Sequence, residues 1–138
     1  MISKTPANIS PGAENPAHLA VLVVDDEPLI RWSLREALLG RGHSVATAAN
    51  GADAINEIAH AGRFFNVVIL DYRLPDRQDL TLLEDVRRLS PESVVVMMTA
   101  FGDDNMRTGA VERGAHAVVD KPFQVVSFVS LIESSAVR

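Results

Sequence analysis

The stretch LAVLVVDDEPLIRWSLREALLGRGHSVATA, residues 19–48, changes its hydrophobic period twice, and those changes decide the fold. LAVLVV (19–24) is an unbroken apolar run rich in β-branched residues, as expected of a parallel strand covered on both faces. From Pro28, which suits a first helical turn, Ile30, Leu34, Ala37 and Leu38 fall on one stripe that ends near Gly40–Gly42. HSVATA (43–48) then returns to a strand pattern. A strand, a helix and a strand in so short a span predict a parallel pair joined by a right-handed crossover.

The alternation continues to the end of the chain. FFNVVIL (64–70), SVVVMM (93–98) and HAVV (116–119) predict three more strands. A second helix is expected over about 51–61, with Asn50 as its N-cap and Ala54, Ile55 and Ile58 inward. A third covers roughly 79–89, with Leu82, Leu83 and Val86 inward and Pro91 beyond its end. A fourth covers about 104–113 and stops at Gly114, and a fifth follows Pro122, carrying Val125, Val126, Phe128, Val129 and Ile132. Five strands alternating with five helices predict an α/β fold, a flavodoxin-like doubly wound parallel sheet of order 2-1-3-4-5. In that order the first and third strands are neighbours, and ligands sit beyond their carboxyl ends.

At 138 residues the chain suits one domain. Residues 1–17, with Pro6, Pro11, Gly12 and Pro16 among small polar groups, read as a flexible N-terminal tail before a domain over 18–138. No apolar run nears the roughly 20 residues of a membrane span, and the N-terminus lacks the apolar stretch of a secretory signal. With no cysteine there is no disulfide or thiolate chemistry, and a cytoplasmic location is expected. The net charge is −5 and the basic residues are scattered, which argues against direct contact with nucleic acid.

The strands deliver chemistry at their carboxyl ends. The first ends in Val24-Asp25-Asp26-Glu27 and the third in Ile69-Leu70-Asp71, so as neighbours they bring three carboxylates to one rim. Like charges that close raise one another's pKa unless a positive charge intervenes. A hard divalent cation that keeps several waters, such as Mg²⁺, suits this sparse oxygen site. The fourth strand ends near Thr99, a hydroxyl, and the fifth is followed by Lys121, an ammonium. Singly, each is an ordinary turn, strand or surface residue. Together they are the equipment for phosphoryl transfer to an aspartate, with Asp71 attacking in line.

The motifs VLVVDDEP (21–28), VVILDYRLPD (67–76), VVMMTAFG (95–102) and DKPF (120–123) resemble those of response-regulator receiver domains. The resemblance runs from about Leu19 to the end of the chain. It implies a two-component signalling switch rather than an enzyme, whose Asp71 takes a phosphoryl group from a sensor histidine kinase. It further implies that Asp26 binds Mg²⁺ directly and Asp25 mainly through water, with Asp71 and the Arg73 backbone carbonyl as further ligands; Mn²⁺ could substitute. Lys121 would contact the phosphoryl group, aimed by a cis Lys121–Pro122 bond, and Thr99 would hydrogen-bond to it. The expected partners are the kinase and a downstream output domain or partner protein, including a second receiver, with no membrane. IRWSLREAL (30–38) and MTAFGD (98–103) are similar to regulators of the nitrogen-regulation type, which join a receiver to ATPase and DNA-binding domains in transcription regulation.

Three positions depart from the family pattern: Val118 stands where an aromatic is frequent, Asp79 where Gly is usual, and Asp120 directly before Lys121. Val lacks the bulk and the two discrete orientations of a tyrosine, so output is expected to pass through backbone movement of the 99–104 loop. The resemblance implies that Arg73 and Phe101 flank the phosphoryl position, which predicts slow autodephosphorylation. The histidines, His18, His43, His60 and His116, show no metal-ligand spacing. A haloacid-dehalogenase-like phosphatase is disfavoured because Asp25 and Asp26 are adjacent and no cap domain fits. A dinucleotide-binding domain lacks its glycine-rich turn. The remaining alternative is a degenerate receiver that binds partners constitutively.

Overall fold

The computed structural model describes residues 18–60 and 62–136, so the tail expected over 1–17 lies outside the described residues. In chain order the elements are β1 (Ala20–Val24), α1 (Pro28–Gly40), β2 (Ser44–Ala48), α2 (Gly51–Ala59), β3 (Val67–Asp71), α3 (Thr81–Leu89), β4 (Val94–Thr99), α4 (Asp104–Glu112), β5 (Ala117–Asp120) and α5 (Val125–Ser135). All four strand pairings are parallel, in the order β2-β1-β3-β4-β5. That is the predicted 2-1-3-4-5 sheet.

The unbroken apolarity of the strands follows from burial on both faces. Side chains alternate across a strand. Val21, Val23, Val67, Ile69, Val94, Val96 and Met98 pack against Leu34 and Leu38 of α1 and Phe128, Val129 and Ile132 of α5. Leu22, Val24, Val68, Leu70, Val95 and Met97 pack instead against Ala54 and Ile58 of α2, Leu82, Leu83 and Val86 of α3, and Met106 and Ala110 of α4. Two helices thus cover one face and three the other.

Several boundaries differ from the sequence reading, each for a local reason. The third strand begins at Val67 rather than Phe64. Asn66 ends the approach by accepting the Ala20 N–H on its own Oδ1 at 2.8 Å, while Phe64 stays half exposed and Phe65 tucks into the core. The third helix starts at Thr81 because the Asp79 carboxylate accepts the Thr81 N–H at 2.9 Å and holds residue 79 outside the helix. Asn50 caps α2 as expected, accepting from Asp53 N–H at 2.8 Å. Asp76, from the loop after β3, accepts from Gly51 N–H at 2.8 Å and Ala52 N–H at 3.0 Å, a negative charge on a helix N-terminus. Gly114 ends α4 at φ +102°, a conformation side-chain-bearing residues avoid.

At the end of the sheet opposite the carboxylates, one buried histidine joins three elements. His43 accepts the Leu19 N–H on Nδ1 at 3.1 Å, which leaves the proton on Nε2 to be donated to Glu133 Oε2 at 2.8 Å. Arg41 closes the cluster with two bonds to Glu133, at 2.9 and 2.7 Å. The Arg41 hydrogen bonds hold the Glu133 carboxyl below its ordinary value in spite of partial burial. A carboxylate with a depressed pKa contributes stability that is full above the unfolded value and is lost as pH falls through the folded one. Glu133→Gln should therefore cost about 1 kcal/mol at pH 7, a figure kept small because the Arg41 side is open to water. Thermal melts from pH 7 to 3 should show that deficit shrinking below about pH 4.5; a constant deficit would mean packing, not charge, was lost.

Candidate functional site

The register of the sheet builds the site. Val24 lies opposite Leu70, so Asp25 and Asp71 leave adjacent strands at the same level. One carboxylate oxygen from each of Asp25, Asp26 and Asp71 can be chosen so that all three lie within 4.8 Å of one another. Asp25 is fully buried and Asp71 is only 6% exposed, whereas Asp26 faces solvent. The donors are all oxygens converging from two strand ends, a set that fits a hard divalent cation with water completing its shell.

Lys121 enters from the loop after β5, whose Lys121–Pro122 peptide is cis, as the resemblance implied. Its Nζ donates to Asp25 Oδ2 at 2.7 Å and to Glu27 Oε1 at 3.2 Å, and lies 3.3 Å from Asp71 Oδ2. Burial by itself lowers the ammonium's pKa, but the hydrogen bond to Asp25 and the charges of Asp71 and Asp25 outweigh it and raise it. Asp71 shows the opposite balance. Burial, and then the charge of Asp25, push its carboxyl up to about 6 against the pull of Lys121 and a main-chain hydrogen bond from Arg73. Burial and the Asp25 charge together outweigh the one ammonium.

Thr99 ends β4 and is buried; its hydroxyl accepts the Phe101 N–H at 3.3 Å. Gly102 is confined by the same side chain, since a Cβ there would come within 2.6 Å of Thr99 Cγ2. Asp26, Asp71, Arg73, Thr99 and Lys121 line one open hollow of about 330 Å³. Phe101 is not among the residues lining it and is 85% exposed. Val118 is half-buried against the core that contains Met106 and Ala110 of α4. Asp120 is engaged by Arg107 of α4.

The sequence reading therefore placed Asp25, Asp26, Asp71, Thr99 and Lys121 together, and the structure brings those five to one rim. It missed Glu27 as a lysine partner, and it missed Arg31, whose Nη1 donates to the Asp25 carbonyl at 2.7 Å. The signal for Arg31 was its place on the first turn of the helix that follows the acidic loop.

A family model for the response regulator receiver domain matches residues 21–133. The chain belongs to that family: it is a receiver domain of the two-component response-regulator class. It is 35% identical over 113 residues to the DNA-binding transcriptional regulator NtrC of Escherichia coli, a match covering 82% of this chain but 24% of NtrC. The chain thus spans about a quarter of that relative's length. Among solved structures it is similar to a CheY-like response regulator receiver domain protein of Methanospirillum hungatei JF-1, with TM-score 0.81, 27% identity and coverage of 87% of this chain and 94% of the other. It is also similar to the beryllofluoride-activated NtrC4 receiver domain dimer, with TM-score 0.77, 34% identity and coverage of 84% and 94%. The complete acidic and lysine set does not favour the degenerate alternative. No helix among the described residues is long and apolar enough to cross a membrane.

The raised pKa of Asp71 has a measurable consequence. A carboxyl whose folded pKa lies above its unfolded value costs stability once ionised, so stability should fall as pH rises through the window from about 3.8 to about 6. Without divalent cations, Asp71→Asn should melt several degrees above the parent at pH 8 and close to it at pH 4. Equal melting temperatures at both pH values would contradict this account of the site.

Proposed function

We propose that Asp71 is the phosphoacceptor of a cytoplasmic signalling switch, charged by a phosphohistidine on a sensor kinase. The observation that carries this reading is a buried carboxylate clustered with those of Asp25 and Asp26, with the Lys121 ammonium 3.3 Å from it. Above its pKa the Asp71 oxygen attacks phosphorus, the P–N bond breaks, and the electron pair stays on the imidazole nitrogen, which takes a proton. Lys121 exchanges part of its contact with Asp25 for the incoming oxygens and offsets their charge. Asp25, Asp26, Asp71 and the Arg73 carbonyl are the groups to hold Mg²⁺, or Mn²⁺ in its place. The bound cation supplies neutralisation of the phosphoryl oxygens.

After transfer, the Thr99 hydroxyl leaves the Phe101 N–H and donates to the phosphoryl group. That exchange draws the 99–104 loop inward and shifts an existing equilibrium of the α4–β5–α5 face. The face is the surface for a downstream domain or a second receiver; the dimeric state of the activated NtrC4 receiver supports the latter. Arg73 lines the hollow, and the exposed Phe101 shields the acyl phosphate only once its loop closes.

Intact mass after treatment with a small-molecule phosphodonor should show a Mg²⁺-dependent gain of one phosphoryl group, absent in Asp71→Asn. A folded parent that gains nothing would return the degenerate-receiver reading. In the phosphorylated protein, replacing Arg73 and Phe101 together by alanine should shorten the acyl-phosphate lifetime about tenfold, read by the decay of that mass peak. An unchanged lifetime would remove the shielding role.

A further inference from the structure

The carbonyl of Asp25 lies one residue past the last β1–β2 ladder pair, Val24 with Ala48. The Asp25 N–H still reaches the Ala48 carbonyl at 3.1 Å, but the Asp25 carbonyl has run out of strand partners at a fully buried residue. Buried main-chain acceptors require a donor. Arg31 provides it, donating from Nη1 at 2.7 Å, while its own N–H donates to the Glu27 carbonyl at 3.1 Å and closes the first turn of α1. The loop that carries Asp25 and Asp26 is thereby clamped from both ends of one residue.

The choice of atom matters. Both oxygens of the Asp25 carboxylate are occupied, Oδ1 by the Glu27 N–H at 2.9 Å and Oδ2 by Lys121 at 2.7 Å. A cation bonded to a carboxylate competes directly with a metal for that oxygen, as Lys121 does. Arg31 fixes the same residue through its main chain and takes no carboxylate oxygen.

We propose that Arg31 is a positioning residue of the phosphoacceptor site, holding the Asp25–Glu27 turn so that the Asp25 and Asp26 carboxylates converge on the divalent cation. The inference rests on the cation site proposed above and deepens it. Two effects of Arg31 have opposite signs, which makes the claim decidable. As a nearby positive charge alone it repels a cation, so its loss would tighten binding. As an anchor its loss frees the turn and weakens binding. Groups that orient metal ligands typically contribute about 10-fold or more in affinity, so the anchor outweighs the screened charge.

The test is a Mg²⁺ titration of the full chain, followed by the amide NMR shifts of Glu27 and Asp71, for the parent, Arg31→Ala, Arg31→Lys and Arg35→Ala. Among the described residues Arg35 pairs only with Glu36, on the exposed side of α1, and controls for lost charge. The expected result is a dissociation constant raised about 10-fold in Arg31→Ala, partly restored in Arg31→Lys and unchanged in Arg35→Ala. In metal-free protein, the Glu27 amide should exchange with solvent several-fold faster in Arg31→Ala than in the parent. Affinity in Arg31→Ala that equals or exceeds the parent's overturns the proposal, as does equal weakening in Arg35→Ala. If the parent itself gives no Mg²⁺ response, the cation reading falls separately, and unchanged Glu27 exchange would then overturn the anchoring as well.

Discussion

Three carboxylates held against one ammonium at the rim of a parallel sheet are the constraint on which the rest of the structure depends. The β1–β3 register leaves Asp25 and Asp71 no way to separate without breaking the ladder. Their repulsion is therefore stored by the sheet, whose cores on both faces supply the stability to hold it. Lys121 relieves part of it, and it relieves Asp25 more closely than Asp71. What is left uncompensated adds to burial in raising the pKa of the Asp71 carboxyl.

The fold was legible because apolar periodicity is a strong signal when both sheet faces are covered; LAVLVV, FFNVVIL and SVVVMM have no other economical reading. The site was legible because strand ends in this topology must converge, so that Asp25, Asp26, Asp71, Thr99 and Lys121 could be assembled from strand order alone. What escaped were contacts made by side chains across elements. Phe64 and Asp79 look like strand and helix residues by composition, yet local hydrogen bonds of Asn66 and Asp79 set those boundaries. His43 was set aside for lacking ligand spacing; its role is to satisfy Leu19 and Glu133, and nothing in the order of residues pairs positions 43 and 133. Arg31 escaped for the same reason, since its partner is a backbone atom.

The route from site to surface is laid out in the same way. Thr99 lies level with Asp120 across the β4–β5 pair, and the Lys121 N–H donates to the Thr99 carbonyl at 2.8 Å. Asp120 in turn engages Arg107, so the strand end that presents the lysine is bonded to α4. Val118, two residues earlier on the same strand, packs against the core that includes Met106 and Ala110 of α4. The departures at 118 and 120 are thus neighbours on one strand, both in contact with the region of α4.

The cluster of Arg41, His43 and Glu133 ties the far end of α5 to the approach of β2. Glu133 sits in the last turn of α5, and the helix's other end follows directly from Lys121 and Phe123 beside Asp71. Eight residues of helical rise separate Val125 from Glu133, about 12 Å. Any domain joined beyond α5 would leave from the riveted end of this strut, not from the acidic rim. Such a neighbour would be held in place by one end of the molecule and informed by the other, so its orientation could be fixed by the rivet while its contacts are rewritten at the rim.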